Sequence, residues 1–231
     1  MKIPMSSRLL ACCGLIPSGS RVADIGCDHG YLGIYLLTQG IARSTIESDV
    51  APQPLESAKR NGAKFHTLDR MTFCLSDGVR DIPRDFDVMV CAGMGADTMI
   101  SILSDAPWLR DPKYRIILQC QSRRPELRRW LSDNGFAIES ETLAKDGKFI
   151  YPVMAVRYAP GAALTAAQCH LSPALLASGS PLLPEFYDRV VAGIRTSVAG
   201  LTHSGGDRLE EFQSILADLE ALEGQIHDDR T

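Results

Sequence analysis

The sequence lacks long apolar runs, and this absence excludes a membrane-spanning protein. No segment of its 231 residues approaches the roughly 18 consecutive apolar residues that a spanning helix needs. The opening MKIPMSSRLLACCGLIPSGS has one early lysine, a short apolar patch and no convincing cleavage site for a secretion signal. We therefore expect a cytoplasmic protein that makes no contact with a membrane.

Cysteine pairs with C-x-x-C spacing are also absent, although the chain has seven cysteines. Structural zinc ligands normally come in such pairs, so a zinc site is a weak alternative and we expect no metal. Cys74, Cys91 and Cys120 fall in apolar runs, which indicates buried, reduced thiols. The composition, 45% hydrophobic and 23% charged, is typical of a soluble α/β domain with a smaller appendage.

Positive charge is scarce in the last third of the chain. Residues 160–231 contain four arginines, no lysine and ten acids, a balance of −6, whereas residues 1–159 have a balance of +2. Such an asymmetry indicates different roles for the two parts. We predict a catalytic domain over 1–159, an Ala-, Ser- and Pro-rich connector over 160–183 and a helical hairpin over 184–231.

Short β-rich runs alternate with helical patterns between Arg21 and about Ala159. The runs are RVADIG (21–26), STIESD (44–49), MTFCLS (71–76), FDVMVCAG (86–93) and RIILQC (115–120). Apolar runs of this length, bounded by Gly, Asp and Pro, are typical of strands buried on both faces of a parallel sheet. The helical patterns cover 29–39, 54–61, 97–103 and 125–134. Their alternation predicts a doubly wound sheet.

The end of the predicted domain has a different pattern. Two β-rich runs, 136–143 and 149–158, flank AKDGK, whose Asp146-Gly147 predicts an antiparallel hairpin. A parallel sheet closed by such a hairpin is the layout of class I S-adenosylmethionine (SAM) methyltransferases. Beyond it, apolar residues at spacings of three and four predict two helices with coiled-coil-like packing, the second starting at a capping box of Asp207 and Glu210. The pair could be a solvated appendage, a dimer contact or a substrate-binding arm.

The glycine turn ADIGCDHGYLG (23–33) carries acids where a nucleotide-binding turn would meet a pyrophosphate. Asp24 and Asp28 would repel that group by an energy on the order of a few kcal/mol. SAM is instead cationic at its ammonium and sulfonium groups, so these acids favour SAM over NAD. The pattern D-x-G-x-D-x-G alone is only suggestive.

Three more strand ends carry residues that suit a cofactor. Asp49-Val50 follows strand two, where an acid can accept hydrogen bonds from a ribose, and Asp77-Gly78 follows strand three, near an adenine. The small-residue loop 92–95 after strand four lets backbone approach a reacting centre. Each could be an ordinary turn, but together they favour a cofactor site at the carboxyl edge of the sheet.

A resemblance to a known family joins these motifs. The segments ADIGCDHGYL, ESDVAPQPLESAKRN, LSDGV, DVMVCAGMGADTMISIL, IILQ and DGKFIYPVMAV, preceded by SSRLLA, closely resemble the bacterial tRNA (adenine 22 N1) methyltransferase family. The resemblance implies a Rossmann-like class I methyltransferase sheet, a C-terminal α-helical coiled-coil hairpin, SAM as methyl donor and tRNA as substrate. The cofactor-binding residues it implies are Asp24, Gly26, Asp28, His29, Gly30, Tyr31, Asp49, Val50, Asp77, Gly78, Ala92, Gly93, Met94 and Gly95.

The chain departs from that family in three places. Cys120-Gln121 replaces the usual Pro-Asn after I-L-Q, Gly33 replaces a proline, and Ala96 replaces the last glycine of A-G-M-G-G. The first departure lies at the strand edge nearest the substrate base, so it bears on base recognition.

Methyl transfer to adenine N1 needs few protein groups, because N1 already has an in-plane lone pair. The sequence has no N/D-P-P-Y motif after strand four, which disfavours transfer to the exocyclic nitrogen. Our hypothesis is that Asp28 stabilises the positive charge that develops on the adenine and deprotonates it. The alternative is that Asp28 only binds the methionine ammonium or caps the next helix.

Cations suited to tRNA phosphates lie around the start of the last predicted helix of the domain, on the predicted hairpin and near the N-terminus. They are Arg8, Arg123, Arg124, Arg128, Arg129, Lys145 and Lys148. We expect a monomer and leave a homodimer open. Methylation of another RNA site or of a small molecule, or non-catalytic binding of SAM or RNA, are the remaining alternatives.

Overall fold

One seven-stranded sheet organises the chain in the computed structural model, which describes residues 2–202 and 206–228. Its strands, in the spatial order β3-β2-β1-β4-β5-β7-β6, are β1 Ser20–Ile25, β2 Ala42–Asp49, β3 Met71–Leu75, β4 Val88–Met94, β5 Arg115–Cys120, β6 Phe136–Asp146 and β7 Phe149–Tyr158. Strands β1 to β5 pair in parallel, whereas β7 is antiparallel to both β5 and β6. The predicted Rossmann-like sheet closed by an antiparallel hairpin is confirmed.

Helices cover both faces of this sheet. The first five are α1 Ser7–Gly14, α2 Tyr31–Thr38, α3 Pro52–Lys64, α4 Ala96–Ser104 and α5 Arg124–Asp133. On one face, α1 and α2 pack against alternate strand residues such as Val22 and Val90. On the other, α4 and α5 pack against Ala23 and Cys91. Because successive residues of a strand point to opposite faces, nearly continuous apolar strands supply both cores.

The strand order reverses between β1 and β4. The chain proceeds from β1 outward to β2 and β3, then returns beside β1 to continue through β4 and β5. The loops after β1 and β4 therefore run in opposite directions and leave a crevice at the carboxyl edge of the sheet. The predicted cofactor motifs follow the strands on either side of this crevice.

Short and long helices follow the sheet. They are α6 Ala166–His170, α7 Pro173–Leu176, α8 Leu183–Leu201, α9 Asp207–Glu220 and α10 Glu223–Asp228. The predicted connector thus contains two short helices. Helices α8 and α9 share an apolar core that includes Leu143 and Ile150 of the β-hairpin, while coiled-coil-like packing stays a prediction.

Two local predictions for the C-terminal helices are wrong. Helix α9 begins after Gly206, at a φ of 89°, with no side-chain cap, so Asp207 and Glu210 lie in its first turn instead of forming a capping box. The continuous second helix predicted over 209–226 is interrupted at Ala221–Leu222. Part of the preceding HSGGD turn, residues 203–205, lies outside the described residues.

The described residues include seven free cysteines, six buried and Cys74 half-buried, in agreement with the predicted reduced thiols. Within 2–202 and 206–228, no helix combines the length and hydropathy needed to cross a membrane. Those same ranges hold no cluster of three or more His, Cys, Asp or Glu side chains arranged to bind a metal ion.

Candidate active site

Two adjoining cavities occupy the crevice at the carboxyl edge of the sheet. The first cavity is lined by Arg8, Leu9, Asp24, Gly26, Cys27, Asp28, His29, Tyr31, Leu32, Ala92, Gly93 and Met94. The second cavity is lined by Ile25, Gly26, Asp49, Val50, Ser76, Asp77, Gly78, Met94, Thr98, Ser101 and Ile102. Gly26 and Met94 belong to both walls, so one extended ligand could span the two spaces once the flexible Met94 side chain moves.

Asp24 is a buried carboxylate that lines the first cavity. It is 5% exposed, and no group among residues 2–202 and 206–228 donates a hydrogen bond to it. Burial raises the pKa of Asp24 to about 7, and the carboxylates of Asp49 and Asp28 add to the increase. A buried acid that lines a cavity and has no ion-pair partner in the described residues is suited to a cationic ligand group.

Asp28 lies at the mouth of the same cavity in a left-handed backbone conformation. Its φ is 50°, a value that Asp and Asn tolerate better than most residues do. The side chain is 75% exposed, and its Oδ1 lies 3.6 Å from Nε2 of His29. Helix α2 has Gly30 as its N-cap with no side-chain cap bond, so the alternative that Asp28 caps this helix is wrong.

Glycines bring backbone close to the cavity walls. At Gly26, φ is 75° and a Cβ would lie 2.4 Å from Cε of Met94. At Gly93, φ is 84° and a Cβ would lie 3.0 Å from Nη1 of Arg8. A side chain at either position would be strained and would fill part of the crevice.

The acids of the second cavity differ in their partners. Asp49 accepts hydrogen bonds from the backbone N–H of Ala51 at 3.0 Å and of Asp28 at 3.4 Å, so it links the turns after β1 and β2. Asp77 instead forms an ion pair with Arg80 at 2.6 Å. Val50, 70% exposed, offers an apolar surface beside Asp49.

Not every predicted cofactor residue lines a cavity. Neither Gly30 nor Gly95 lines the first or the second cavity. A Cβ at Gly30 would lie 2.8 Å from Cβ of Ala58, so Gly30 lets α3 pack against the turn, and a Cβ at Gly95 would lie 3.0 Å from Oγ of Ser122. Both glycines shape the site through packing.

Sequence reasoning missed an amide that organises the base of the first cavity. Gln119, at the end of β5, is fully buried, and its Oε1 accepts hydrogen bonds from Arg8 Nη1 and from the backbone N–H of Gly93, both at 3.0 Å. Its Nε2 is buried without a partner in the described residues. Nearby, Nε2 of Gln121 would lie 3.6 Å from a Cβ at Gly93. The sequence signal for Gln119 was its position near the end of a predicted strand, where polar residues often contact a ligand.

A second missed residue is Glu47, which lies beside Asp24 in the register of β1 and β2. Its two carboxyl oxygens are buried and have no hydrogen-bond partner among the described residues. A Cβ at Gly33 would lie 1.9 Å from Oε1 of Glu47, so Gly33, where the resembled family has proline, makes room for this acid. Burial, followed by repulsion from Asp24, holds the pKa of Glu47 well above its ordinary value.

The predicted phosphate contact at Arg128 is wrong. Arg128 is 1% exposed, forms an ion pair with the buried Glu141 and donates to the backbone carbonyl of Cys169 at 3.1 Å. Glu141 also accepts a hydrogen bond from Ser172 Oγ. The guanidinium therefore joins α5, β6 and the connector inside the protein, where no phosphate can reach it.

The other predicted tRNA-binding cations are distributed unequally. Arg123 is exposed but pairs with both Asp97 and Glu126, and Arg129 is exposed. Lys145 pairs with Glu185 at 2.7 Å, while Lys148 is exposed at the tip of the β-hairpin. Arg124 is half-buried and donates to the Ile150 carbonyl. Arg8 lines the first cavity, so this cation lies beside the candidate reaction site.

Comparison with known proteins places the chain among methyltransferases. A family model described as a methyltransferase domain matches residues 5–154. A protein of Mycoplasma genitalium, provisionally named a tRNA methyltransferase, is 34% identical over 157 residues, which cover 66% of this chain and 69% of the relative. The tRNA (adenine(22)-N(1))-methyltransferase of Bacillus subtilis is 32% identical over 149 residues, which cover 64% of this chain and 63% of the relative.

A solved structure is similar over nearly the whole chain. It is a Streptococcus pneumoniae protein, provisionally named a tRNA (m1A22) methyltransferase, in complex with S-adenosyl-L-methionine. The TM-score is 0.79 at 25% identity, and the alignment covers 92% of this chain and 100% of that chain. The resemblance predicted from the sequence is confirmed, and the chain belongs to the methyltransferase domain family.

Proposed function

We propose that the protein transfers a methyl group from SAM to N1 of adenine 22 in the D arm of tRNA. One observation carries the proposal. The crevice where the strand order reverses holds a buried, unpaired Asp24 next to the more exposed Asp28, and a second cavity with Asp49 and Asp77 continues from it. The names of the Bacillus and Streptococcus relatives agree with the proposed reaction.

The residues present fit SAM in charge and in shape. Asp24, with no protein cation beside it, would bind the ammonium group of the methionine moiety. Asp49 would accept hydrogen bonds from the ribose hydroxyls, and Asp77 with Gly78 would contact the adenine. When bound, SAM supplies an electrophilic methyl group on a positively charged sulfur. Pyrophosphate is disfavoured in the first cavity because Asp24 and Asp28 would repel it.

Asp28 is the proposed catalytic residue. Its exposed carboxylate lies at the mouth of the first cavity, and the fixed turn after β1 holds it there. A carboxylate near the N6 amino group of the substrate adenine would stabilise positive charge that develops on the ring and then accept a proton from N6. Alignment of N1 at about 3 to 3.5 Å from the methyl carbon supplies most of the remaining rate acceleration.

The substrate adenine would enter the first cavity beside Arg8, Gln119 at the end of β5 and Gln121 just after it. Gln119 fixes Arg8 and the Gly93 backbone, so the guanidinium is held at the cavity wall. The amide of Gln121 lies close enough to Gly93 to meet an edge of the base. A base in a stacked arm cannot reach this depth, so tRNA binding must extrude the adenine.

The three predicted segments fit this function as catalytic domain, connector and helical arm over 1–159, 160–183 and 184–231. The connector is tied to the domain through the Arg128–Cys169 and Ser172–Glu141 hydrogen bonds. We propose that the protein acts in the cytoplasm as a monomer, with a homodimer as the alternative.

The proposal is tested by incubating the protein with methyl-labelled SAM and unmodified tRNA transcripts, followed by nucleoside analysis. We expect 1-methyladenosine, and we expect no label in a transcript that carries guanine at position 22. Formation of N6-methyladenosine, or equal labelling of both transcripts, would overturn the proposal.

A second candidate is methylation of a different adenine or another RNA. Cys120-Gln121, in place of the usual Pro-Asn, favours it, because the glutamine side chain is longer and lies next to Gly93. Mapping the labelled nucleotide in total unmodified tRNA distinguishes the two candidates directly.

A further inference from the structure

An aromatic residue is exposed at the tip of the β-hairpin. Phe149 is 53% exposed, whereas the next residue, Ile150, is buried in the C-terminal core. Nζ of Lys148 lies 5.3 Å from the centre of this ring, and the ring of Tyr151 lies 6.1 Å away. The tip therefore presents a flat apolar surface with a cation on it.

A cleft runs between this tip and helix α8. Its walls are formed by Arg124, Phe149, Ile150, Phe186, Arg189 and Val190. The Arg124 guanidinium lies 5.5 Å from the centre of the Phe186 ring and donates to the Ile150 carbonyl. Arg189 donates to the Lys148 carbonyl at 2.6 Å, which fixes the tip against α8.

Positive charge is concentrated around the cleft. Arg124, Lys148 and Arg189 surround it, and Lys145 lies on the adjacent strand. Glu185 pairs with both Lys145 and Arg189, and Asp146 is part of the same turn, so the local balance remains positive by two. Within the described residues, neither Arg124 nor Lys148 forms an ion pair: Arg124 contacts a ring and a carbonyl, and Lys148 lies over the Phe149 ring.

The cleft faces the same edge of the sheet as the first cavity. Strand β7 runs antiparallel to β5, so its first residues lie beside the carboxyl end of β5. Ser7 Oγ donates to the Lys145 carbonyl, and the next residue, Arg8, lines the first cavity. A polymer that enters the first cavity can therefore continue past α1 to the hairpin tip.

We propose that this cleft binds an unpaired nucleotide of the tRNA outside the methyl-transfer pocket, with the base stacked on Phe149 and the phosphate on Lys148 and Arg124. The inference rests on the proposed function and adds a second RNA subsite to it. An exposed ring flanked by cations is the arrangement that binds single-stranded nucleotides, because every base has a face that stacks and every phosphate is anionic. Stacking of this kind is independent of base identity, so the subsite contributes affinity and leaves the choice of adenine to the first cavity.

The test compares Phe149→Leu and Phe149→Trp with Leu68→Ala. Leu68 is 43% exposed and precedes β3 at the opposite edge of the sheet, so it controls for loss of an exposed apolar side chain. Fluorescence anisotropy measures binding of an unmodified tRNA transcript, and methylation kinetics give the KM for tRNA. We expect Phe149→Leu to weaken tRNA binding about tenfold and Phe149→Trp to retain it, with SAM affinity unchanged in both.

A charge test accompanies the stacking test. Lys148→Ala should lower the slope of log Kd against log salt concentration by about one, whereas Lys113→Ala, beside β5 at the other edge, should leave the slope unchanged. The inference is overturned if Phe149→Leu binds tRNA as tightly as Leu68→Ala does while the wild type still forms 1-methyladenosine. Absence of methyl transfer by the wild type would overturn the proposed function instead, since the anisotropy of Phe149→Leu is measured without turnover.

Discussion

The carboxyl edge of the sheet and the C-terminal helices use acidic residues in opposite ways. At the sheet edge, Asp24, Asp28 and Asp49 have no lysine or arginine partner within the described ranges. On helices α8 and α9, Glu185 pairs with Lys145 and Arg189, and Glu220 pairs with Arg195. Arg189 and Arg195 are already counted in the balance of −6 for residues 160–231, whereas Lys145 adds a positive charge from outside that region.

This difference in pairing indicates which acids bind a ligand. An unpaired carboxylate that is partly removed from water destabilises the folded chain, because nothing replaces its lost hydration. Such a group persists where it binds a ligand, whereas a paired, exposed carboxylate has little effect on stability. The acids of the sheet edge are accordingly candidates for function, and most acids of the arm are ordinary surface residues.

The largest expected effect concerns Arg128, at the junction of the two regions. Arg128→Met leaves the buried Glu141 without its cation, and we expect the free energy of unfolding to fall by about 3 to 5 kcal/mol. Urea denaturation measures the change. A variant that also carries Glu141→Leu should regain most of the loss, because it buries no unpaired charge. Lower tRNA affinity at unchanged stability would instead restore Arg128 as a phosphate ligand.

Deletion of residues 160–231 is a poor substitute for this test. Cys169 and Ser172 complete the hydrogen bonds of Arg128 and Glu141, so the truncated protein would expose a pair that is now buried. Loss of tRNA binding after such a deletion would not separate a missing arm from an unfolded domain. Single substitutions on the arm are therefore preferred.

The next effect is expected at Asp24, where function and stability should change in opposite directions. Asp24→Asn should weaken SAM binding about 100-fold, since the ammonium group loses its buried partner. Isothermal titration calorimetry gives the affinity. Glu47→Gln is the matched control, because it alters a neighbouring buried acid that lines neither cavity, and it should leave SAM affinity within about threefold.

The stability of the same variant depends on pH. The pKa of Asp24 is raised from 3.8 to about 7 by folding, so the wild type loses stability as pH rises from about 4 through 7. Asp24→Asn lacks this loss and should melt at a higher temperature than the wild type at pH 8, with little difference at pH 4. For the wild type, SAM affinity should increase as pH rises through about 7, where Asp24 ionises. A variant less stable than the wild type at pH 8 would contradict the unpaired state of Asp24.

A substitution at Asp28 distinguishes a role in catalysis from a role in SAM binding. Asp28→Asn is the suitable substitution, because asparagine tolerates the φ of 50° whereas alanine would add backbone strain. We expect kcat for tRNA methylation to fall about 100-fold while the Kd for SAM changes less than about threefold. Equal losses in kcat and in SAM affinity would assign Asp28 to cofactor binding alone.

The sequence predicted much of this site because strand ends in a parallel sheet carry distinctive residues. Asp24, Gly26 and Asp49 stand where an apolar run stops, and the topology brings them together. Gln119 and Glu47 were missed because they lie within strands, and a polar residue there gives no sign of whether it has a partner. Whether a buried polar group has a hydrogen-bond partner depends on residues far away in the chain.

The error at Arg128 has a sequence-level explanation. Arg124, Leu127, Arg128 and Leu131 follow the spacing of one helix face, so the two arginines share the side of α5 that packs inward. A run of basic residues forms one surface only where helical periodicity places its members on the same exposed face, and in α5 it does not. The buried partner Glu141 lies on β6, and no local pattern links it to Arg128.

The smallest effect is expected for Glu220→Gln on the helical arm. Like Asp24→Asn, this substitution replaces a carboxylate with the corresponding amide. Its pair with Arg195 is exposed at both side chains, 58% and 40%, and Glu220 is the last residue of α9, where a negative charge opposes the helix dipole. Loss of the pair and relief of that repulsion oppose each other, so the melting temperature should shift by no more than about 2 °C. SAM affinity and methylation rate should equal those of the wild type. If Glu220→Gln weakened SAM binding as Asp24→Asn is expected to, pairing would not distinguish functional acids from surface acids in this protein.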